Sequence, residues 1–174
     1  MQKDELIKRY YSQILLDELS IEKQELLSKK SITVIGCGGL GSPLAAYLAG
    51  AGVGKIKLVD DDTVELRNLH RQVFFSEDDI GIKKVKALSN YLKNLNSNTT
   101  IEIYDKKSWE LSYDNIKSDL LIDCADNLRT SYDLNRVCSK ERVAFLTASI
   151  AAHVGQILLF SNCLLYTSDA ADDP

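Results

Sequence analysis

The sequence predicts an α/β fold: a Rossmann-like, doubly wound, mainly parallel sheet with an N-terminal helical segment. Three observations carry that expectation. Short β-branched runs alternate with longer stretches of helical periodicity along the chain. The first run ends in Gly36-Cys37-Gly38-Gly39-Leu40-Gly41, a glycine loop between a strand and a helix. The second ends in Asp60, an acid at the C-terminal end of a strand.

Each element has its own signal. Leu6, Ile7, Tyr10, Tyr11, Ile14 and Leu15 recur at helical spacing over 4–19, and a second short helix is expected over 21–28. Ser31-Ile32-Thr33-Val34-Ile35 reads as a buried parallel strand that stops at Gly36. Ser42-Pro43 opens the next helix, because proline's missing N–H costs little in a first turn. That helix runs to the punctuation of Gly50, Gly52 and Gly54, and 55–60 forms the second strand. A loop over 61–80 precedes a helix over 82–95, ended by an asparagine-rich stretch, and then a strand over 100–104. Leu120-Leu121-Ile122-Asp123 is a further parallel strand, followed by a helix over 128–140 and strands over 143–148 and 154–160. Right-handed crossovers gather the ends of the first, second and fourth strands on one rim, which brings the glycine loop, Asp60 and Asp126 to one cleft.

The 174 residues suffice for one domain with a proper core, and 45% hydrophobic with 26% charged residues is ordinary for a soluble globular protein. A net charge of −4 without a long basic cluster argues against a nucleic-acid binder. Apolar runs fall far short of a membrane span, and the charged N-terminus lacks a signal-peptide core, so the expected location is cytoplasmic. Cys37, Cys124, Cys138 and Cys163 form no Cys-x-x-Cys pair and read as free thiols, Cys37 and Cys124 as small buried residues rather than nucleophiles. His70 and His153 lack metal-ligand spacing to a cysteine, so no zinc site is visible.

Gly36-x-Gly38-x-x-Gly41 has the dinucleotide-fold spacing in its required context. Phosphates must approach backbone N–H groups at the helix N-terminus, and a Cβ there would hold them off. Asp60, about 20 residues on, suits ribose hydroxyls. Alone, the pattern does not separate NAD, FAD, S-adenosylmethionine and ATP. The P-loop signature is absent.

Further motifs follow in one order: Arg9-Tyr10-x-x-Gln13-Ile14, Gly38-Gly39-Leu40-Gly41-Ser42, Ala51-Gly52-Val53-Gly54, Asp60-Asp61-Asp62-x-Val64-x-x-x-Asn68-Leu69-His70-Arg71-Gln72, Asp79-Ile80-Gly81-x-x-Lys84-Val85 and Asp123-Cys124-Ala125-Asp126-Asn127. Over residues 5–160 that order resembles the ThiF/MoeB/HesA family, bacterial relatives of ubiquitin-activating enzymes, with the thiamine sulfur-carrier adenylyltransferases closest in appearance and the molybdopterin type next. The resemblance implies ATP-dependent adenylylation of the C-terminal Gly-Gly carboxylate of a ubiquitin-like sulfur-carrier protein, by a homodimer. It implies a nucleotide site of Gly36, Gly38, Gly39, Gly41, Asp60, Asp62, Asn68, Arg71, Gln72, Lys84, Asp126 and Asn127. Within it Gly39 touches the nucleotide and Asp60 the ribose, while Asn68, Arg71 and Lys84 reach the phosphates. Asp126 holds Mg²⁺ with Asn127 beside it, and Arg71, Lys84 and Asp126 form the catalytic set.

Plainer readings stand beside these. Asp126 is also placed to cap the helix near Leu128. Lys84 is placed for a solvated helix face with Lys83 and Lys86, and periodicity does not choose between Lys83 and Lys84. Arg71 has Asp61, Asp62 and Glu65 in reach as surface partners. Two family arginines are replaced, by Ser12 and Ser131, with Arg9 and Arg129 as nearby substitutes.

The domain reading is an N-terminal helical segment over 1–30, an incomplete nucleotide-binding domain over 31–162 and a non-native tail over 163–174. The tail, from Cys163 to Asp172, matches what a transposon-end sequencing adapter encodes in one reading frame. Resequencing the locus from native DNA decides this: a gene that encodes Tyr166–Asp172 would sink it. The resemblance also implies a zinc held by Cys-x-x-Cys in the full-length protein, and those ligands are absent here, so Cys163 is not read as one. Without the family's later strands, 154–160 is expected to present an uncovered edge. Three alternatives remain: a tRNA-modifying dehydratase of the same superfamily, an NAD-dependent oxidoreductase that leaves Asn68–Gln72 without purpose, and an inactive binding subunit.

Overall fold

The computed structural model describes residues 3–16 and 18–161. Six strands form one sheet in the order β3-β2-β1-β4-β5-β6: β1 (Ser31–Ile35), β2 (Lys55–Val59), β3 (Thr100–Tyr104), β4 (Leu120–Asp123), β5 (Ala144–Ala151) and β6 (Val154–Phe160). All pairings are parallel except β5 with β6, so the fold is the α/β class that the sequence predicts. The order reverses between β1 and β4, the crevice where open sheets of this kind take ligands beyond the strand C-termini.

Helices cover both faces. On one, α3 (Gly41–Ala51) and α4 (Lys84–Leu95) enclose a core that includes Val34, Ala45, Ile56, Leu58, Val85, Leu88 and Leu92. On the other, α5 (Tyr113–Ile116) and α6 (Leu128–Glu141) accompany Ile35, Val59, Leu121, Leu134 and Phe145. The central strands are apolar on both sides because both sides are covered.

The N-terminal helices α1 (Lys3–Ile14) and α2 (Ile21–Leu27) pack onto the end of α3. The Nε2 groups of Gln13 and Gln24 both donate to Ala51 O, at 3.0 and 2.9 Å. Tyr10 is buried, and its hydroxyl accepts from Asn96 Nδ2 at 2.9 Å. A Cβ on Gly52 would stand 2.6 Å from the Tyr10 hydroxyl, so the glycine at φ +92° makes room for the ring. The first and third motifs are thus one joint between α1 and α3.

Differences from the sequence reading are local. Helix α1 kinks at Tyr10, where the ring turns into the joint, and ends at Ile14 rather than 19. Helix α4 begins at Lys84 rather than 82, because Lys83 is extended and bridges to Thr63. Strand β5 reaches Ala151 because the antiparallel ladder with β6 runs to the Ala151–Val154 pair. Short 3₁₀ turns at Leu66–Asn68, Glu77–Asp79 and Ser108–Glu110, and the one-turn α5, had no periodic signal. Strand β6 lies at the sheet edge with Val154, Ile157 and Leu159 exposed, as expected for that segment. No helix among the described residues is long and apolar enough to cross a membrane. The tail reading, with Cys163, lies outside the described residues.

Candidate functional site

The glycine loop leaves β1 and enters α3 at the C-terminal rim. Gly36 sits at φ +87°, and a Cβ there would lie 2.8 Å from Cys124 O. A Cβ on Gly41 would lie 1.8 Å from Gly36 O. These two glycines answer to the protein's own packing, a demand that stands beside the phosphate approach expected of the loop. Gly38 and Gly39 meet only side chains at ordinary contact distance: Gln72 Nε2 at 3.6 Å and Arg71 Cγ at 3.7 Å. They are the positions where the loop backbone is open to a ligand. The N-cap of α3, Leu40, supplies no side-chain bond, so the helix's positive end is not capped from within.

On the β2 side, Asp60 follows the strand. Its Oδ2 accepts from Cys37 N–H at 2.6 Å and its Oδ1 from Asp62 N–H at 2.8 Å. Burial pushes its carboxyl above the ordinary value, opposed by those two N–H groups and by Lys84. Lys84 is 5% exposed, and its Nζ pairs with Asp62 at 2.7 Å. The solvated-face reading of Lys84 is therefore overturned: Lys83 is the outer lysine, pairing with Asp105 at 2.9 Å and donating to Asp61 O.

Between them lies the segment with Asn68, Arg71 and Gln72. The Asn68 carbonyl accepts from the N–H groups of Arg71 and Gln72, which turns both side chains toward the loop. Arg71 has no ion pair among the described residues; its Nη1 lies 3.3 Å from His70 Nε2. The surface-bridge reading fails because Arg71 makes no ion pair with Asp61, Asp62 or Glu65 among the described residues; Glu65 pairs instead with Arg67 and Asp62 with Lys84. Gln72 is 2% exposed, and its Oε1 is buried without a hydrogen-bond partner. A buried acceptor left open beside Gly38 is a cost that a bound ligand's donor would remove.

On the β4 side, Asn127 caps α6, its Oδ1 accepting from Thr130 N–H at 2.9 Å. The capping alternative for Asp126 is thereby corrected. Asp126 is exposed and makes no hydrogen bond or ion pair with another described residue, so its oxygens fit a hard cation such as Mg²⁺. Asn127, expected to bind cofactor, has its oxygen committed to the helix. Ser131, where the sequence resemblance implies an arginine, donates its hydroxyl to the buried Asp123. Neither nearby arginine fills the gap within the chain: Arg129 lies over Trp109 at 5.1 Å, and Arg9 donates to Leu95 O.

Burial raises the thiol pKa of Cys37, takes Cys124 to about 12 and Cys138 to about 11, which suits small core residues rather than nucleophiles. The carboxylates of Asp60, Asp61 and Asp62 lie within 4.8 Å of one another, but Asp60 is engaged by backbone N–H groups and Asp62 by Lys84. No trio of potential ligands among the described residues includes cysteine or histidine, so these residues do not fit the implied zinc. Cavities of about 210 Å³ beside Arg9 and Ser12 and about 170 Å³ beside Trp109 and Leu134 include no glycine-loop residue. The crevice is an open rim, with Asp60, the loop and the Asp123–Asn127 turn together as the topology required. Asp123 stands in the quoted motif without a role of its own; an acid closing a parallel strand, as Asp60 does, is its signal.

Residues 10–170 match the ThiF family model. The adenylyltransferase and sulfurtransferase MOCS3 of Anopheles gambiae is 39% identical over 160 residues, which cover 89% of this chain and 36% of that protein. The sulfur carrier protein ThiS adenylyltransferase of Escherichia coli K12 is 37% identical over 155 residues, 88% of this chain and 62% of the relative. The chain thus spans about one third to under two thirds of these relatives' length. The solved structure of E. coli MccB with MccA-N7isoASN superposes with a TM-score of 0.79 at 26% identity, covering 88% of this chain and 47% of that one. TcdA (CsdL), at 24% identity and TM-score 0.77 over 85% and 60% of the two chains, shares the fold.

Proposed function

From the premise that the chain belongs to the ThiF family, we propose that it adenylylates the C-terminal glycine carboxylate of a ubiquitin-like sulfur-carrier protein of thiamine or molybdopterin type. A carboxylate oxygen attacks the α-phosphorus of ATP, the bond from that phosphorus to the bridging oxygen breaks, and pyrophosphate leaves. The observation that carries the reading is Arg71: a cation without a carboxylate partner among the described residues, lying against Gly39, where the loop backbone is open. The NAD-dependent alternative leaves Asn68–Gln72, with Arg71 among them, without a chemical step.

The residues divide the work. Asp60 accepts one N–H on each oxygen and keeps a further lone pair on each for ribose hydroxyls. Arg71 and Lys84 offset phosphate charge as it moves toward the leaving pyrophosphate, and the fixed loop holds the reacting atoms in line. Lys84 reaches that task by exchanging Asp62, which is 67% exposed and re-solvates at little cost. Mg²⁺ held at Asp126 would supply charge neutralisation at the polyphosphate. The proposal includes a cytoplasmic location, expected from the sequence, and a homodimer, implied by the family resemblance alone.

A second reading, a nucleotide-binding subunit without catalysis, draws on Ser131 and Arg129, which leave a family cation position unfilled. Carrier-dependent exchange of pyrophosphate into ATP separates the two. Exchange that requires the carrier's terminal Gly-Gly, and that Lys84→Ala abolishes, supports the enzyme; binding without exchange supports the subunit. A ligand at ~100 times its dissociation constant adds about 2.7 kcal/mol of stability. Stabilisation of that order by NAD and not by Mg·ATP would overturn both.

A further inference from the structure

We infer that Asp123 is a positioning residue: its buried carboxylate clamps the Asp123–Asn127 turn, and through that turn sets both Asp126 and the floor of the glycine loop. The clamp is read from geometry alone; its consequence for ATP rests on the proposed function. Asp123 ends β4 between Ile35 of β1 and Thr147 of β5, and is 1% exposed. Its Oδ1 accepts from Ala125 N–H at 3.0 Å. Its Oδ2 accepts the Ser131 hydroxyl from the first turn of α6 and the Thr147 hydroxyl at 3.5 Å from β5. One carboxylate therefore joins its own turn, a helix and a neighbouring strand.

No lysine or arginine among the described residues bonds to it, and the titratable group beside it is the Cys124 thiol. A carboxylate buried without a cation is costly, so what it returns is geometry. Asp126 stands between two ties: Ala125 N–H on Asp123, and Asn127 Oδ1 on Thr130 N–H. The same turn supports the loop, because the space a Cβ on Gly36 would take is bounded by Cys124 O and Ala125 N. Motion of this turn moves both the residue placed to hold a cation and the backbone that meets phosphate.

Asp123→Asn keeps the shape but leaves one acceptor oxygen for the Ala125 N–H and the two hydroxyls. ATP affinity is measured by titration calorimetry with Mg²⁺ and in EDTA, for wild type, Asp123→Asn, Asp126→Asn and the double variant. The expected result is a loss of about tenfold in the Mg²⁺ arm and a smaller one, through the loop floor, in EDTA, with the double variant losing less than the sum of the two single losses. Equal loss in both arms, or additive losses, overturns the inference. Amide exchange at Ala125 is the second readout: Asp123→Asn and Ser131→Ala are expected to speed it about tenfold or more, and Ser131→Thr to restore it. Unchanged exchange overturns the clamp whether or not ATP binds. If wild type binds no ATP, the proposed function fails and the clamp is judged on exchange. Should Asp123→Asn not fold, Ser131→Ala and Thr147→Val carry the same two measurements.

Discussion

Strands β2 and β4 flank the glycine loop, and each is closed by an aspartate whose Oδ1 accepts the N–H two residues on, Asp62 for Asp60 and Ala125 for Asp123. The second oxygens part company. Asp60 Oδ2 reaches into the loop at Cys37 N–H, and the Lys84 ammonium acts on the carboxylate from nearby. Asp123 Oδ2 is held by the hydroxyls of Ser131 and Thr147, with no countercharge bonded to it among the described residues. One local device is thus supported by charge on one side and by neutral donors on the other. The β2 side carries the cations that the proposed function gives to a ligand, while the β4 side fixes the shape of the rim.

The loop's own glycines give the largest test of that division. Gly36→Ala forces a side chain toward Cys124 O at a positive φ, and is expected to cost about 3–4 kcal/mol in a urea melt. Gly39→Ala meets only Arg71 and is expected to stay within about 1 kcal/mol of wild type. Its effect falls instead on Mg·ATP binding, weakened by about tenfold or more as the Cβ stands where phosphate approaches. Equal destabilisation by both would break the claim that the loop is buttressed from β4 and open elsewhere.

Smaller in stability is Asp60→Asn. It leaves one of two N–H groups, Cys37 or Asp62, without its acceptor, at about 2 kcal/mol. Because the Lys84 pair with Asp62 survives, the stability lost is not that of a broken buried ion pair. A loss above about 4 kcal/mol would mean that Lys84 depends on Asp60 and not on its exposed partner.

Much of this was legible in the chain. The strand spans follow from β-branched runs that stop at Gly36, Asp60 and Asp123, and alternation with helices forces the parallel order. What stayed hidden depends on which side chain wins a shared partner. Asn127 rather than Asp126 caps α6, because its oxygen meets Thr130 N–H. Lys84 rather than Lys83 turns inward, because the helix starts two residues later than its periodicity suggests. Arg71 has no carboxylate partner among the described residues, while Lys84 and Arg67 take Asp62 and Glu65. The Asp123 clamp needs Thr147, 24 residues away across the sheet, and no local pattern announces it.

The smallest effect lies along β4 itself, which two aspartates bracket with opposite shifts. Asp119, before the strand, pairs with Lys30 at 2.8 Å and accepts from Ser31 N–H, and the lysine bond leads in lowering its pKa from 3.8 to about 2. Its ionised form favours the fold above pH 3.8, and that contribution is lost as pH falls toward 2. Asp123, raised by burial, runs the other way: its contribution is complete below the ordinary carboxyl value and is lost as pH rises through the folded one. Urea melts from acid to neutral pH should show Asp119→Asn removing part of the acid-side loss. With 41% of the side chain exposed, that part is at most about 1 kcal/mol. Asp123→Asn should lower stability at every pH yet flatten the decline above the carboxyl range. If both variants change the curve in the same direction, Asp123 has a cation in solution that its hydroxyl partners do not supply, and the contrast between the two sides of the loop collapses.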